Sequence, residues 1–188
     1  MPLSHATKFM ALTPTQHVAF GRIVTEWSNV EFLVETLLIR LSCAPDFLGL
    51  ALTNDLNISN RISCLKNLIK INRHRYTPPR LSDDIERRLN GIILEISRLK
   101  DYRNRFVHYC WCRDNDEVVF GIRFRAKLPE LGKPNANTLT LRVAKMNELA
   151  DRMHKLVEDL NDVLRLIPEI EEEWLMKELV KANRWYSK

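Results

Sequence analysis

Apolar residues recur every three or four positions near the start of the chain, and this spacing restricts the possible fold more than any other feature. It is the period of an α-helix that buries one face. We therefore predict a helix from about residue 14 to residue 42, ending before Pro45. Its predicted buried face comprises Val18, Ile23, Val24, Trp27, Val30, Val34, Leu37, Leu38 and Leu41.

The sequence TPTQ marks the start of this helix. Thr13 suits the N-cap and Pro14 the first helical position, while Gln16 can bond back to the cap residue as in a capping box. Only five of the 188 residues are glycine, which is few for a sandwich with many tight turns. Long helices are therefore favoured over sheets.

The same periodicity predicts four later helices. They cover about residues 58–72, 83–109, 145–167 and 169–184, and Pro168 divides the last two. The second and third are separated by NRHRYTPPR, which is interpreted as a basic loop because of its two prolines.

Strands are predicted between the third and fourth helices, where the period changes to two. One covers about residues 117–126 and has an apolar face formed by positions 118, 120, 122 and 124. A second covers 138–143, and a further strand at 109–113 would complete an antiparallel sheet.

These elements predict a mainly α protein with one domain over residues 1–188. It is an up-and-down helical bundle, at about 14–167, with a small antiparallel β-hairpin inserted at about 112–143, before the fourth helix. A C-terminal helix at about 169–184 completes it.

Charge is concentrated in the middle of the chain. The formal net charge is +5, but residues 61–127 carry sixteen Lys and Arg against eight Asp and Glu. This excess favours an anionic partner, nucleic acid first, over a basic face that is merely solvated, although charge alone leaves both open.

Other classes of protein are not favoured by the sequence. The chain starts without the pattern of a secretory signal, and no stretch approaches 18 consecutive apolar residues. We therefore expect a cytoplasmic location and no association with a membrane. The four cysteines lack zinc-site spacing, so we expect free thiols, no metal and no cofactor.

The sequence RNRFVH, in the last turns of the third predicted helix, contains the candidate site. Arg103, Asn104 and His108 fan across roughly 140° of the helix end, so a facing helix or a second subunit must complete any pocket. Arginine can hold a phosphate and histidine can transfer a proton, which suits metal-independent RNA cleavage by the 2′-hydroxyl. The alternative is a helix end whose carbonyls are capped by cations.

RNRFVH resembles the Arg-polar-three-residues-His motif of the HEPN superfamily. The order of helices and EWSNVEFLVETLL in the first helix are also similar, over about residues 14–167. The resemblance implies a homodimeric, metal-independent endoribonuclease of a toxin or antiphage defence system, with an antitoxin or other defence protein as a further partner. Arg103 and His108 would be catalytic and Asn104 supporting, and the products would end in a 2′,3′-cyclic phosphate or 3′-phosphate and a 5′-hydroxyl.

The motif also departs from that family. Some toxins carry, two residues after the histidine, a tyrosine that an antitoxin modifies, whereas this chain has Cys110 there and Tyr109 before it. Some members are not nucleases, so the alternative function is a non-catalytic oligomerisation or nucleic-acid-binding module, or a nucleotide-binding regulator.

Several further residues are candidates for supporting roles. Glu31, or else Glu26, could pair with Arg103 or orient His108, and a solvated carboxylate is the alternative. Base stacking by Tyr109 or Trp111 competes with packing under the hairpin. Other candidates for RNA contact, against simple surface charge, are Arg73, Arg75, Arg80 and Arg105.

Overall fold

The computed structural model describes residues 11–75, 81–123, 138–169 and 177. The described helices are α1 Pro14–Ser42, α2 Asp46–Thr53, α3 Ile58–Arg75, α4 Asp83–His108 and α5 Val143–Leu164. The described strands are β1 Cys110–Arg113, β2 Val118–Ile122 and β3 Thr138–Arg142.

The strands form one antiparallel sheet in the order β1-β2-β3. Trp111 and Leu139 lie on either side of Gly121, and this register places alternate residues on opposite faces. The predicted mainly α class with a small antiparallel sheet is confirmed, including the strand that follows the motif helix.

Helix α2 was not predicted, because DFLGLALT shows no helical alternation of apolar and polar residues. Its placement depends on packing: Gly49 and Thr53 are buried, and Thr53 Oγ1 donates a hydrogen bond to Glu35 Oε1 at 2.9 Å. The outward side chains of Phe47 and Leu52 are 78% and 68% exposed.

The predicted second helix was too short at its end. α3 continues to Arg75, so the residues at positions 73–75 are helical rather than part of a loop. A proline ends a helix before its own position, and it also disfavours helix at the residue that precedes it. Because the first proline of NRHRYTPPR is Pro78, the helix can extend this far.

The chain divides into two compact units, Met1–Ser28 with Ile96–Lys155, and Asn29–Glu95 with Leu156–Lys188. The described core of the first unit is Ala19, Ile23, Trp27, Ile96, Leu99, Phe106, Val119, Leu141, Met146, Leu149, Ala150 and Met153. The core of the second includes Val30, Val34, Leu37, Leu65, Ile69, Leu89, Ile92, Leu160 and Val163. The single domain stays a prediction. The predicted helix at 169–184 also stays a prediction, because that range lies outside the described residues except at 169 and 177.

Two residues of the predicted buried face of α1 are exposed. Val18 is 62% and Val24 50% exposed, whereas Ile23 and the rest of the predicted set are buried. On the helical wheel, Val18 and Val24 lie roughly 140° and 100° from Ile23, outside the narrow buried arc. Including them was therefore wrong.

Both ends of α1 are closed by local hydrogen bonds. The predicted capping box is confirmed: Thr13 N donates to Gln16 Oε1 at 2.9 Å, and Gln16 N donates to Thr13 Oγ1 at 3.2 Å. At the other end, Cys43 has a φ of 59° and Ala44 N donates to Ile39 O at 3.4 Å, the pattern of a Schellman cap.

Gly49→Ala should destabilise the protein by about 1–2 kcal/mol, because overpacking outweighs the gain in helix propensity. A methyl group there would lie 2.5 Å from Cγ2 of Ile39, a branched core side chain. The matched control is Gly91→Ala, since nothing lies within 4 Å of that position. This control should gain about 0.5–1 kcal/mol. Urea unfolding of both variants is the measurement, and shifts in the same direction would contradict the close approach at Gly49.

Candidate functional site

The end of α4 is closed by a tryptophan from the strand that follows it. The last carbonyl oxygens of a helix lack helical partners. Tyr109 N donates to Arg105 O at 3.1 Å, and Trp111 Nε1 donates to Phe106 O at 3.0 Å. The sequence YCW thus returns the chain onto the helix end and holds the turn that carries the motif.

An aromatic cluster packs beneath this turn. The ring centroid of Trp111 lies 5.1 Å from that of Phe20, 5.4 Å from that of Phe106 and 5.9 Å from that of Tyr109. A β-carbon at Gly121 would lie 2.8 Å from the indole ring, so glycine is needed there for Trp111 to lie flat on β2. Trp111 therefore packs in this cluster, and its predicted stacking on an RNA base stays a prediction.

This packing also determines which face of β2 is buried. Val119 and Gly121 are buried, whereas Val118, Phe120 and Ile122 are only half-buried. The face that looked more apolar in the sequence is thus the outer one. The reason is the indole of Trp111, which fills the inner face and contributes the apolar area that Gly121 lacks.

The motif residues differ in exposure. Arg103 and Asn104 are half-buried, and Arg103 Nη1 donates to Asn104 Oδ1 at 3.4 Å. The imidazole of His108 is exposed and forms no hydrogen bond with the described residues. The structure therefore brings Arg103 and Asn104 together and leaves His108 open to a ligand one turn further on.

Tyr102 is a neighbour of the motif that sequence reasoning missed. The guanidinium of Arg105 lies 5.9 Å from the centre of its ring, within the range of a cation–π contact. Arg105 itself is exposed. The spacing of three residues on a helix was the available signal, since such side chains are neighbours.

The two candidate glutamates, Glu26 and Glu31, lie in different units of the chain. In the first unit, Glu26 Oε1 lies 3.1 Å from His154 Nδ1, and Glu26 Oε2 is buried without a hydrogen-bond partner among the described residues. In the second unit, the backbone carbonyl oxygen of Glu31 accepts a hydrogen bond from Arg61 Nη1 at 3.2 Å. The contact between Glu26 and His154 was missed, because nothing in the spacing of His154 pointed to it. The supporting role of Glu31 stays a prediction.

The candidate basic residues upstream of α4 are only partly described. Arg73 Nη1 lies 3.3 Å from Glu86 Oε1, so this exposed cation is paired within the second unit. Arg75 is the last residue of α3, and Arg80 lies outside the described residues. Their predicted contact with RNA stays a prediction.

The described residues contain neither a group of metal-ligating side chains nor a single helix that could span a membrane. In the described ranges, no three or more His, Cys, Asp or Glu side chains are grouped as metal ligands. No described helix by itself has the length and hydropathy of a membrane span; α1 and α2 pass that test only as a pair, and they are bent by 117° at their junction.

Comparison with known proteins found no matching family model, curated protein or solved structure. The described residues form a mainly helical chain with a three-stranded antiparallel sheet, and Arg103, Asn104 and His108 lie in the last two turns of α4.

Trp111→Phe should weaken the closure of α4, because phenylalanine keeps an aromatic ring but leaves Phe106 O without its donor. We expect a loss of about 1 kcal/mol in the free energy of unfolding. Amide hydrogen exchange at 105–111 should become faster than in the wild type. Unchanged exchange there would show that the indole hydrogen bond does not hold the helix end.

Proposed function

We propose that this chain is a HEPN-type, metal-independent endoribonuclease of a toxin or antiphage defence system, acting as a homodimer. The observation that carries the proposal is the arrangement at the end of α4: Arg103 Nη1 donates to Asn104 Oδ1 at 3.4 Å, and His108 is exposed about one turn further along the helix. A phosphate binder and a proton acceptor at one helix end are the minimum that RNA cleavage requires, since the substrate brings its own nucleophile.

In the proposed reaction, His108 removes the proton of the 2′-hydroxyl as that oxygen attacks the adjacent phosphorus. The bond between phosphorus and the 5′-oxygen breaks, and the leaving oxygen takes a proton. Arg103 donates hydrogen bonds to the non-bridging oxygens and stabilises the negative charge that develops on them. The products are a 2′,3′-cyclic phosphate and a 5′-hydroxyl.

A second copy of the chain would complete the pocket. The side chains of Arg103, Asn104 and His108 diverge around one helix end and cannot enclose a phosphate. A phosphate bound there would be exposed to water on the side that faces away from α4. A second motif facing the first supplies another imidazole, which can protonate the leaving oxygen, and it excludes water from the charge. The proposal therefore includes a dimer in which the two motifs lie opposite each other.

The test is incubation of the purified chain with RNA in the presence of a chelator. Cleavage that leaves a cyclic phosphate, and that is blocked when the RNA carries a 2′-deoxy sugar at the cleaved position, would support the proposal. Products with a 5′-phosphate, or cleavage that requires added metal, would contradict it.

A second candidate is a non-catalytic HEPN-type interaction module, and the surface of α2 favours it. Phe47 and Leu52 are largely exposed, and contiguous exposed apolar side chains often mark a protein interface. Toxicity on expression that His108→Ala relieves would favour the enzyme. Binding of a partner protein that His108→Ala leaves unchanged, without cleavage, would favour the module.

A further inference from the structure

Two thiols lie side by side on β1, directly after the motif helix. Cys110 and Cys112 are alternate residues of the strand, so both point to the face opposite that of Trp111. Cys110 is exposed and Cys112 is half-buried, and neither forms a disulfide. In the pairing of β1 with β2, Cys110 lies opposite Ile122 and Cys112 lies opposite Phe120. Both β2 residues are only half-buried, so the two thiols lie on the outer face of the sheet.

Their spacing lies at the limit for a disulfide. Alternate residues of a strand have Cα atoms about 6.4–6.8 Å apart. Disulfides span Cα separations of about 4.4–6.8 Å. A bond between Cys110 and Cys112 is therefore possible after a small contraction of the strand. β1 is an edge strand of the described sheet, so this contraction disturbs hydrogen bonds on one side only.

The two thiols are not equivalent. Burial raises the pKa of the Cys112 thiol, and the neighbouring Cys110 raises it further through charge and hydrogen bonding. Since the thiolate is the nucleophile, the exposed Cys110 is the thiol that reacts first, and Cys112 is placed to resolve the product.

We propose that Cys110 and Cys112 form a redox-active dithiol that a hydroperoxide oxidises to an intramolecular disulfide. The Cys110 thiolate attacks one peroxide oxygen, the O–O bond breaks, and a sulfenic acid forms with release of water or an alcohol. Cys112 then attacks the Cys110 sulfur and the sulfenic oxygen leaves as water. In sum, two thiols lose two electrons and two protons, and the peroxide gains them.

Oxidation would act on the end of α4 through Trp111, which lies between the two cysteines. Contracting β1 shifts the indole away from Gly121 and from Phe106 O, the acceptor of its N–H. The disulfide therefore loosens the turn that carries His108. A strained bond of this kind is readily reduced, so the change is reversible. None of these steps depends on RNA cleavage.

The test is treatment of the purified full-length chain with hydrogen peroxide, followed by intact mass and peptide mapping. We expect the loss of two hydrogen atoms, localised to the peptide that contains both cysteines and reversed by dithiothreitol. Cys112→Ser should instead accumulate a sulfenic acid at Cys110 that dimedone traps. A variant with both Cys43→Ser and Cys64→Ser should still form the bond.

Hydrogen exchange provides the second readout. In the wild type, oxidation should speed exchange at 103–111, and Cys112→Ser should show no such change. A disulfide between two chains, dimedone labelling at Cys112 instead of Cys110, or no oxidation at either cysteine would overturn the dithiol. A disulfide between the pair without faster exchange would overturn its coupling to the helix end.

Discussion

Arg103→Ala and His108→Ala should each abolish detectable RNA cleavage while the protein stays folded. Removing a general base costs about 10²- to 10⁴-fold in rate, and removing one group that stabilises developing charge costs about 10²- to 10³-fold. Arg103 is half-buried and His108 is exposed, and neither belongs to the buried core, so their loss should change the free energy of unfolding little.

Matched controls separate chemistry from charge. Arg87 is an exposed cation of the same helix, paired with Asp84 at 3.1 Å, and His17 is an exposed imidazole of α1. Neither Arg87→Ala nor His17→Ala should change the rate of cleavage. All four variants are assayed as purified proteins with a chelator, after their unfolding temperatures have been compared with that of the wild type.

The pattern of loss decides the role of the motif. Cleavage that persists in both Arg103→Ala and His108→Ala would remove the nuclease proposal. Cleavage that Arg87→Ala weakens as much as Arg103→Ala would mean that α4 contributes only positive charge. Mixing the Arg103→Ala and His108→Ala chains tests the dimer, because a composite site could recover part of its activity in the mixed species.

Gln16→Glu should destabilise the protein by about 4 kcal/mol at neutral pH, even though glutamate suits a capping box equally well. The Gln16 side chain is fully buried, and its amide nitrogen donates to Asn115 O at 2.7 Å, with Asp116 O at 3.3 Å and Val118 O at 3.4 Å. A carboxylate would face these three oxygens without a proton. Folding must therefore protonate it, and each pH unit above its ordinary pKa of about 4.3 costs about 1.4 kcal/mol.

The pH dependence identifies the cause. The new carboxyl would have a folded-state pKa above its unfolded value, so its destabilising effect is absent below about pH 4 and grows as the pH rises towards the folded pKa. Gln16→Met is the control, since it removes the hydrogen bonds without adding charge. It should cost about 1–3 kcal/mol at every pH. Urea unfolding between pH 4 and pH 8 measures both, and a constant cost for Gln16→Glu would contradict the buried contact.

Local pattern was enough to predict most elements. Thr13 and Gln16 predicted the start of α1 because a capping box depends only on neighbours in the chain. The alternation after the motif predicted the strand that became β2, and a further strand at 109–113 was predicted as its antiparallel partner. α2 was missed because the burial of Gly49 against Ile39 is a tertiary contact that leaves no periodic trace in eight residues.

The candidate site was predictable in part. The order of residues placed Arg103, Asn104 and His108 at one helix end, because helical geometry follows from spacing alone. The hydrogen bond of the Trp111 indole at that end could not be predicted, nor could the contact between Glu26 and His154 elsewhere in the first unit, because both join residues from different elements. Such contacts depend on how the elements pack, which no local spacing encodes.

Four of the five described helices, the strands and the positions of Arg103, Asn104 and His108 on α4 follow from propensities and periods within a few neighbouring residues. The packing of different elements places the amide of Gln16 on the turn between β1 and β2, and Trp111 on Gly121. The same packing determines that β2 buries the face that is poorer in large apolar residues. Burial depends on both strands together, because the indole of Trp111 on β1 fills the space over Gly121 on β2. No spacing within either strand alone indicates that contact.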